Sequence, residues 1–164
     1  MYLFLYLLIF TSFFIVLVRF LNLKNKLDCM DIIRIRTKEK EEVVDITSEV
    51  REIVRKSKVK EGLCLVYVPH ATCAIIINEN YDPNVGKDLL DCLDGLIPEG
   101  KWLHDRIDNN GAAHLKASIL GPSEMIIIKD GELMLGQWQD IMLCDFDGPR
   151  ERKIFIKIIE GGQN

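Results

Sequence analysis

Hydrophobic and polar positions divide this 164-residue chain into two unlike stretches. Residues 2–18, YLFLYLLIFTSFFIVLV, form an uncharged run that Arg19 ends. From Met30 onward short apolar runs alternate with polar turns, the pattern of a folded domain. IIRIRT and EEVVDIT predict two strands, joined as a hairpin across the charged KEKE turn. Asp45 to Ser48 offer N-cap residues for a helix through SEVREIVRKS, with Val50, Ile53 and Val54 on one face. GLCLVYVP and CAIIIN predict buried strands rich in β-branched residues. Asp82 followed by Pro83 opens a second helix. Val85, Leu89, Leu93 and Leu96 recur along it at helical spacing, and Pro98 ends it. AAHLKASILG predicts a short third helix, capped by Asn109 or Asn110 and stopped near Gly121. Asp130-Gly131, between two apolar runs in EMIIIKDGELML, signals a hairpin. WQDIMLCDF and RKIFIKII close the chain as strands, separated by the Gly148-Pro149 turn.

This order predicts an α+β fold with largely antiparallel β-sheets and two or three helices. Regular βαβ alternation is missing, which argues against Rossmann and TIM folds, and no glycine-rich phosphate loop occurs. The predicted organisation is a hydrophobic N-terminal segment, residues 1–29, and one domain over residues 30–164. The segment has two readings. Its run sits at the short end of the roughly 17–25 residues that span a bilayer. As a single transmembrane helix, followed by Arg19, Lys24 and Lys26, it leaves the domain in the cytoplasm. Alternatively Met30 is the true start, and the protein is cytoplasmic without an anchor. A cleaved signal peptide fits worse, since no basic residue precedes the run and no small-residue cleavage site follows it.

Charge narrows the partners. The first 30 residues carry Arg19, Lys24 and Lys26 against Asp28, so the whole-chain charge of −4 leaves −6 on the rest. An acidic domain without a basic cluster argues against nucleic acid. Scattered lysines are read as solvated surface. The five cysteines, Cys29, Cys64, Cys73, Cys92 and Cys144, form no C-x-x-C pair, which disfavours a disulfide framework or a zinc ribbon. Cys64, Cys73 and Cys144 lie in apolar runs and read as buried thiols.

The chain's three histidines are its candidate chemistry. His104 and His114 stand in the polar insert WLHDRIDNNGAAHLKASILG, and His70 follows a strand in VPHATC. Three imidazoles can hold a divalent cation and leave a position open for water or substrate. The start of the helix carrying His114 favours an anion. The bland alternative is that the Asp and Asn residues between them form turns and caps, and each histidine is structural. Glu79 in INENYDP is a candidate base, against a role simply ending a strand. Asp145, Asp147 and Arg150 in CDFDGPR are either an ion-pair turn closing a hairpin or, through Arg150, a phosphate grip. Gln139 points into a pocket or to solvent, and Trp138 reads as core. A Cys73–His70 dyad is disfavoured, because residues three apart on a strand face opposite sides.

The segments PHATCAIIINENYDP, HDRIDNNGAAHLKASILGPS, DGELMLGQWQDI and DFDGPR, in that order, resemble the YjbQ-type family, also called secondary thiamine-phosphate synthases. The likeness covers essentially all of residues 31–164. It implies an α+β fold, a homotrimer, and a cleft where histidines gather around a metal or anion. It also implies a reaction joining an aminopyrimidine methyl diphosphate to a thiazole phosphate with release of pyrophosphate. On this reading His70, Asp108 and Glu79 are catalytic. Asn78, Asn109, Gln139, Asp145 and Arg150 bind the phosphorylated small-molecule substrate. His70, His104 and His114 hold a divalent metal, Mg or Zn. Three departures stand out: Asp145 where the family usually has Glu, GQWQ with Gln137 for GTWQ, and Cys73 for a smaller residue. The rival readings are a metal-assisted hydrolase or transferase on another phosphorylated molecule, and a non-catalytic ligand-binding trimer.

Overall fold

The structure, a computed structural model, describes residues 30–162. The N-terminal membrane-helix reading falls on residues 1–29 and lies outside the described residues. Among the described residues no helix is long and apolar enough to cross a membrane. Strands β1 (Asp31–Arg36) and β2 (Glu42–Asp45) lead into helix α1 (Thr47–Ser57). Strands β3 (Gly62–Tyr67) and β4 (Cys73–Glu79) precede helix α2 (Pro83–Leu96), a 3-10 turn at Leu103–Arg106 and helix α3 (Gly111–Leu120). Four strands follow: β5 (Ser123–Lys129), β6 (Glu132–Leu133), β7 (Gln139–Asp145) and β8 (Glu151–Glu160).

The fold is α+β, with two antiparallel sheets. One has five strands in the order β1-β8-β3-β5-β6 and the other three in the order β2-β7-β4. The β5–β6 hairpin forms as its sequence predicts, with Asp130 and Gly131 both at positive φ. The expected β1–β2 hairpin does not form. β1 pairs with β8 and β2 with β7, in different sheets. Distant strands bury the apolar sides of IIRIRT and EEVVD better than the two bury each other. The turn after Asp145 closes no hairpin either, since β7 and β8 belong to different sheets.

Sequence pattern follows from burial. The three-stranded sheet is covered on both faces. Ile75, Ile141 and Leu143 join the main core with Val50 and Val54 of α1 and the inner face of the five-stranded sheet. Ala74, Cys144 and Phe146 face the opposite way, against Leu93 of α2 and Ala112, Ala113 and Ala117 of α3. Two-sided burial explains the continuous apolar runs CAIII and IMLC. The five-stranded sheet buries only one face, and its strands alternate accordingly. On β8 Arg152, Ile154 and Ile156 point inward while Glu151 and Lys153 point out.

Helix starts are less local than the sequence suggests. Asp82 caps α2 through the N–H of Asn84 at 2.9 Å, as expected. Asn110 precedes α3 but its side chain does not cap it. Asp105 does so from six residues upstream, accepting from Gly111 N–H at 2.8 Å and from Trp102 N–H at 2.8 Å. One carboxylate thus folds the insert back on itself.

Candidate functional site

The densest polar network sits where β7 and β8 emerge from between the layers. In-phase alternation with Ile154 and Ile156 carries Arg152 inward, where it must meet an acceptor. Asp145, 0% exposed, supplies one. Its two oxygens accept from Arg152 Nη2 at 2.6 Å and Nε at 2.8 Å. They also accept from Thr37 Oγ1 at 2.8 Å and Asp147 N at 3.1 Å. Burial works against this carboxylate, but the Arg152, Asp147 and Thr37 bonds win and hold its pKa below the ordinary value. Arg152 Nη2 further donates to Asp147 O at 2.9 Å and Thr72 Oγ1 at 3.3 Å. Nη1 has no hydrogen-bond partner among the described residues. Cys73 lies against the same carboxylate at 3.5 Å, and burial first, then Asp145, push its thiol pKa up. A protonated, buried thiol is no nucleophile, so the structure supports no Cys73–His70 dyad.

His70 lies at the rim of this network. β3 ends at Tyr67 while β8 continues, and the backbone N–H of Lys153 is taken by His70 Nε2 at 3.0 Å. Nε2 is therefore the unprotonated nitrogen, and Nδ1 carries the proton of the neutral ring. Burial, then Arg152, lower the pKa of His70, with Asp145 opposing. The ring stays neutral at physiological pH and offers an N–H donor, not a lone pair. The N–H groups of Ala71 and Thr72, in the turn after it, are bound by no acceptor among the described residues.

The other two histidines pair with each other. The rings of His104 and His114 meet edge to face with centroids 4.8 Å apart. Asp108 Oδ2 lies 3.9 Å from His104 Nε2. The described residues fit a divalent cation poorly. Two half-exposed imidazoles are offered here, and His70 presents a proton elsewhere. Among the described residues no group of three or more His, Cys, Asp or Glu is arranged to hold a metal ion. Asn110 ties the insert to the first network by donating to Asp147 Oδ2 at 3.1 Å, and Arg150 Nη2 lies 3.1 Å from the same oxygen. Asn109, at φ 53°, lines a cavity of about 10 Å³ beside Asn110, Asp105 and Asp147.

Three predicted site residues lie elsewhere. β4 runs antiparallel to β7, pairing Cys73 with Asp145 at one end and Glu79 with Gln139 at the other. Six strand steps put Glu79, Asn78 and Gln139 about 20 Å from Asp145. There Asn78 Oδ1 accepts from Glu79 N–H at 2.8 Å, and Gln139 Oε1 from Gly136 N–H at 2.8 Å. Trp138, expected in the core, is exposed and lies against exposed Tyr81 with ring centroids 5.1 Å apart.

Sequence reasoning missed two residues. Arg152 was legible in the alternation of β8, two positions beyond the favoured Arg150, which is exposed. Lys116, assigned to solvated surface, is fully buried on α3 against Glu41 and Asp94. Its signal was weak: it shares the helical face of Ala112 and Ala113 that packs on the sheet.

The family model for UPF0047 protein YjbQ-like matches residues 31–161. A UPF0047 protein of Methanocaldococcus jannaschii is 47% identical over 126 residues, covering 77% of this chain and 91% of that protein. UPF0047 protein YugU of Bacillus subtilis is 42% identical over 127 residues, covering 77% and 96%. Among solved structures, a protein of Sulfolobus solfataricus superposes with a TM-score of 0.78 at 39% identity, covering 81% of this chain and 97% of that one. A Clostridium acetobutylicum protein gives 0.76 at 44%, covering 79% and 99%. The Clostridium protein is described as uncharacterized and the Sulfolobus protein as of unknown function. These descriptions overturn the expected thiamine-phosphate synthase reaction, for which these relatives provide no support. What the matches do establish is ancestry: this chain belongs to the UPF0047 YjbQ-like family.

Proposed function

We propose that the domain binds a small anion, the phosphate group of a small molecule, at the mouth formed by His70, the Ala71–Thr72 turn and Arg152. The carrying observation is the 3.0 Å bond from Lys153 N–H to His70 Nε2. It leaves Nδ1–H as the donor of the neutral ring. Arg152, whose charge acts on the ring, and the N–H groups of Ala71 and Thr72 in the turn after it supply further donors. Convergent donors around a fixed guanidinium suit phosphate oxygens. The carboxylate of Asp145 is consumed holding Arg152, which leaves it a positioning role. On this reading the protein acts in the cytoplasm, where its free thiols stay reduced, and as a homotrimer.

Titration of inorganic phosphate, followed by the imidazole resonances of His70, tests the reading. Saturable shifts that disappear in His70→Ala support it. Shifts confined to His104 and His114 sink it, as does an unperturbed spectrum at millimolar phosphate.

A further inference from the structure

The chain crosses between its two sheets twice at one place. Residues 37–41 run from β1 in the five-stranded sheet to β2 in the three-stranded sheet, and residues 146–150 run from β7 back to β8. β1 pairs with β8 and β2 with β7, so the two crossings lie side by side. Three bonds lace them together. Thr37 N–H donates to Arg150 O at 3.0 Å, Arg150 N–H to Thr37 Oγ1 at 2.9 Å, and Gly148 N–H to Lys40 O at 2.8 Å. The packing is close enough that a Cβ on Gly148 would lie 2.3 Å from Glu39 O.

The first crossing ends in two different clusters. At one end buried Thr37 donates to Asp145 Oδ2 at 2.8 Å, the oxygen that also accepts from Arg152 Nε. At the other end Glu41 Oε1 accepts from fully buried Lys116 at 2.7 Å. Glu41 is the weaker fastening. Its Oε2 is buried without a donor among the described residues, and the side chain borders the groove. Burial raises its pKa against the bond and charge of Lys116, and Asp94 and Glu99 add to the rise. The groups facing it are Lys116 from α3, Asp94 from α2 and Glu99 from the loop after α2; Glu39 and Lys40 flank it in the crossing. A proton on Glu41 removes the charge that binds Lys116, and Lys116 keeps Asp94 as its counter-ion. The exposed Lys40–Glu99 pair is then the remaining ionic tie, and such pairs hold little.

We propose that residues 37–41 are a strap through which protonation of Glu41 loosens the hold of Thr37 on Asp145 and so unsettles Arg152 at the anion mouth. Ionised Glu41 keeps the strap taut and the guanidinium fixed. Neutral Glu41 frees the strap, and with it the turn that carries Gly148 and Arg150. The anion site is thus weakened by acid from a groove on another part of the domain. The inference deepens the anion-site reading and rests on it for the ligand; the strap itself stands on the bonds above.

Amide hydrogen exchange in the full-length protein tests the strap without any ligand. Glu41→Gln imitates the protonated acid. In it the N–H groups of Thr37, Gly148 and Arg150 exchange about 10-fold faster at pH 7 than in the parent, while Gly131 N–H, bonded to Lys60 O, keeps its protection. Inorganic sulfate, whose charge is constant over the range used, binds the variant about 5-fold more weakly at pH 7. Both gaps narrow towards pH 5, as the parent takes up its own proton, and both vanish in a Lys116→Met background. Titration of His70 is common to parent and variant and leaves the ratio unchanged. Unaltered exchange at Thr37, Gly148 and Arg150 overturns the proposal. So do gaps that persist undiminished without Lys116, or a loosened strap whose protein holds sulfate as tightly as the parent. A parent that binds no sulfate at any pH removes the anion reading, and amide exchange still decides the strap.

Discussion

Arg152 and Lys116 are both buried cations set against carboxylates, and they differ in what surrounds the carboxylates. Arg152 meets Asp145 with two parallel bonds from one planar fork, and Asp145 is 0% exposed. Lys116 is a point charge held by Glu41 Oε1 at 2.7 Å and by Asp94, with its Nζ 5.9 Å from the Phe146 ring centroid. Burial opposes its charge, but Asp94 and Glu41 outweigh burial and keep its pKa raised. Of those partners Asp94 is open to water and Glu41 only slightly. The Asp94 side chain is 55% exposed and that of Glu41 14%, at a groove of about 600 Å³ lined also by Glu39, Lys40, Pro98 and Glu99. Glu41 Oε2 is buried without a partner. The Arg152 cluster is closed and nearly saturated, and the Lys116 cluster is open and unsaturated. Equal burial of a cation therefore does not mean equal dependence on it.

Removing each cation gives the sharpest test of that difference. Arg152→Met strands the Asp145 carboxylate where water cannot reach it, and costs about 3–5 kcal/mol in urea unfolding. Lys116→Met leaves Asp94 free to rehydrate and Glu41 at the groove wall, so it costs about 1–3 kcal/mol. If Lys116→Met proves the more damaging, the contrast between closed and open clusters is wrong. Thr37→Val probes the closed cluster from its other side. Thr37 Oγ1 donates to Asp145 at 2.8 Å and accepts from Arg150 N–H at 2.9 Å, and losing both costs about 1–2 kcal/mol.

The smallest effects lie in pH. His70 has a lowered folded pKa, so the unfolded chain takes up its proton first as pH falls below about 6.5. Stability from His70 is present above that value and declines as pH drops through it; His70→Gln removes the step. Asp145 also has a lowered pKa, but as an acid. Its contribution is present above the unfolded value of about 3.9 and is lost as pH falls through the lower folded value. Chemical denaturation from pH 8 to pH 3 reads both steps. Stability that rises on acidification from pH 7 to pH 5 contradicts the neutral, buried-rim His70.

Patterns with local causes were legible. The Asp82-Pro83 helix start, the Asp130-Gly131 hairpin and the strands in CAIIIN and WQDIMLCDF each depend on neighbours in sequence. Partnerships across the fold were not. Nothing near IIRIRT says that β8, more than a hundred residues away, pairs with it better than EEVVD does. Nor does anything near Asn110 say that Asp105 takes over its capping role. The same limit applied at the site. His104 and His114 do meet, as their shared insert suggests, but His70 turns its lone pair to a backbone N–H. Glu79 and Gln139 share a strand pair with Asp145 yet stand at its opposite end.

The sequence by itself determined the fold class, the Asp130-Gly131 hairpin, the Asp82-Pro83 helix start, the buried thiols and the family. These follow from side-chain periodicity and turn chemistry, which act over a few residues. Tertiary structure alone decided which carboxylate meets the inward arginine, that a lysine on an alanine-rich helix is fully enclosed, and which nitrogen of His70 is protonated. Each depends on whether water or a distant acceptor reaches a polar atom, and that is known only once the layers have closed.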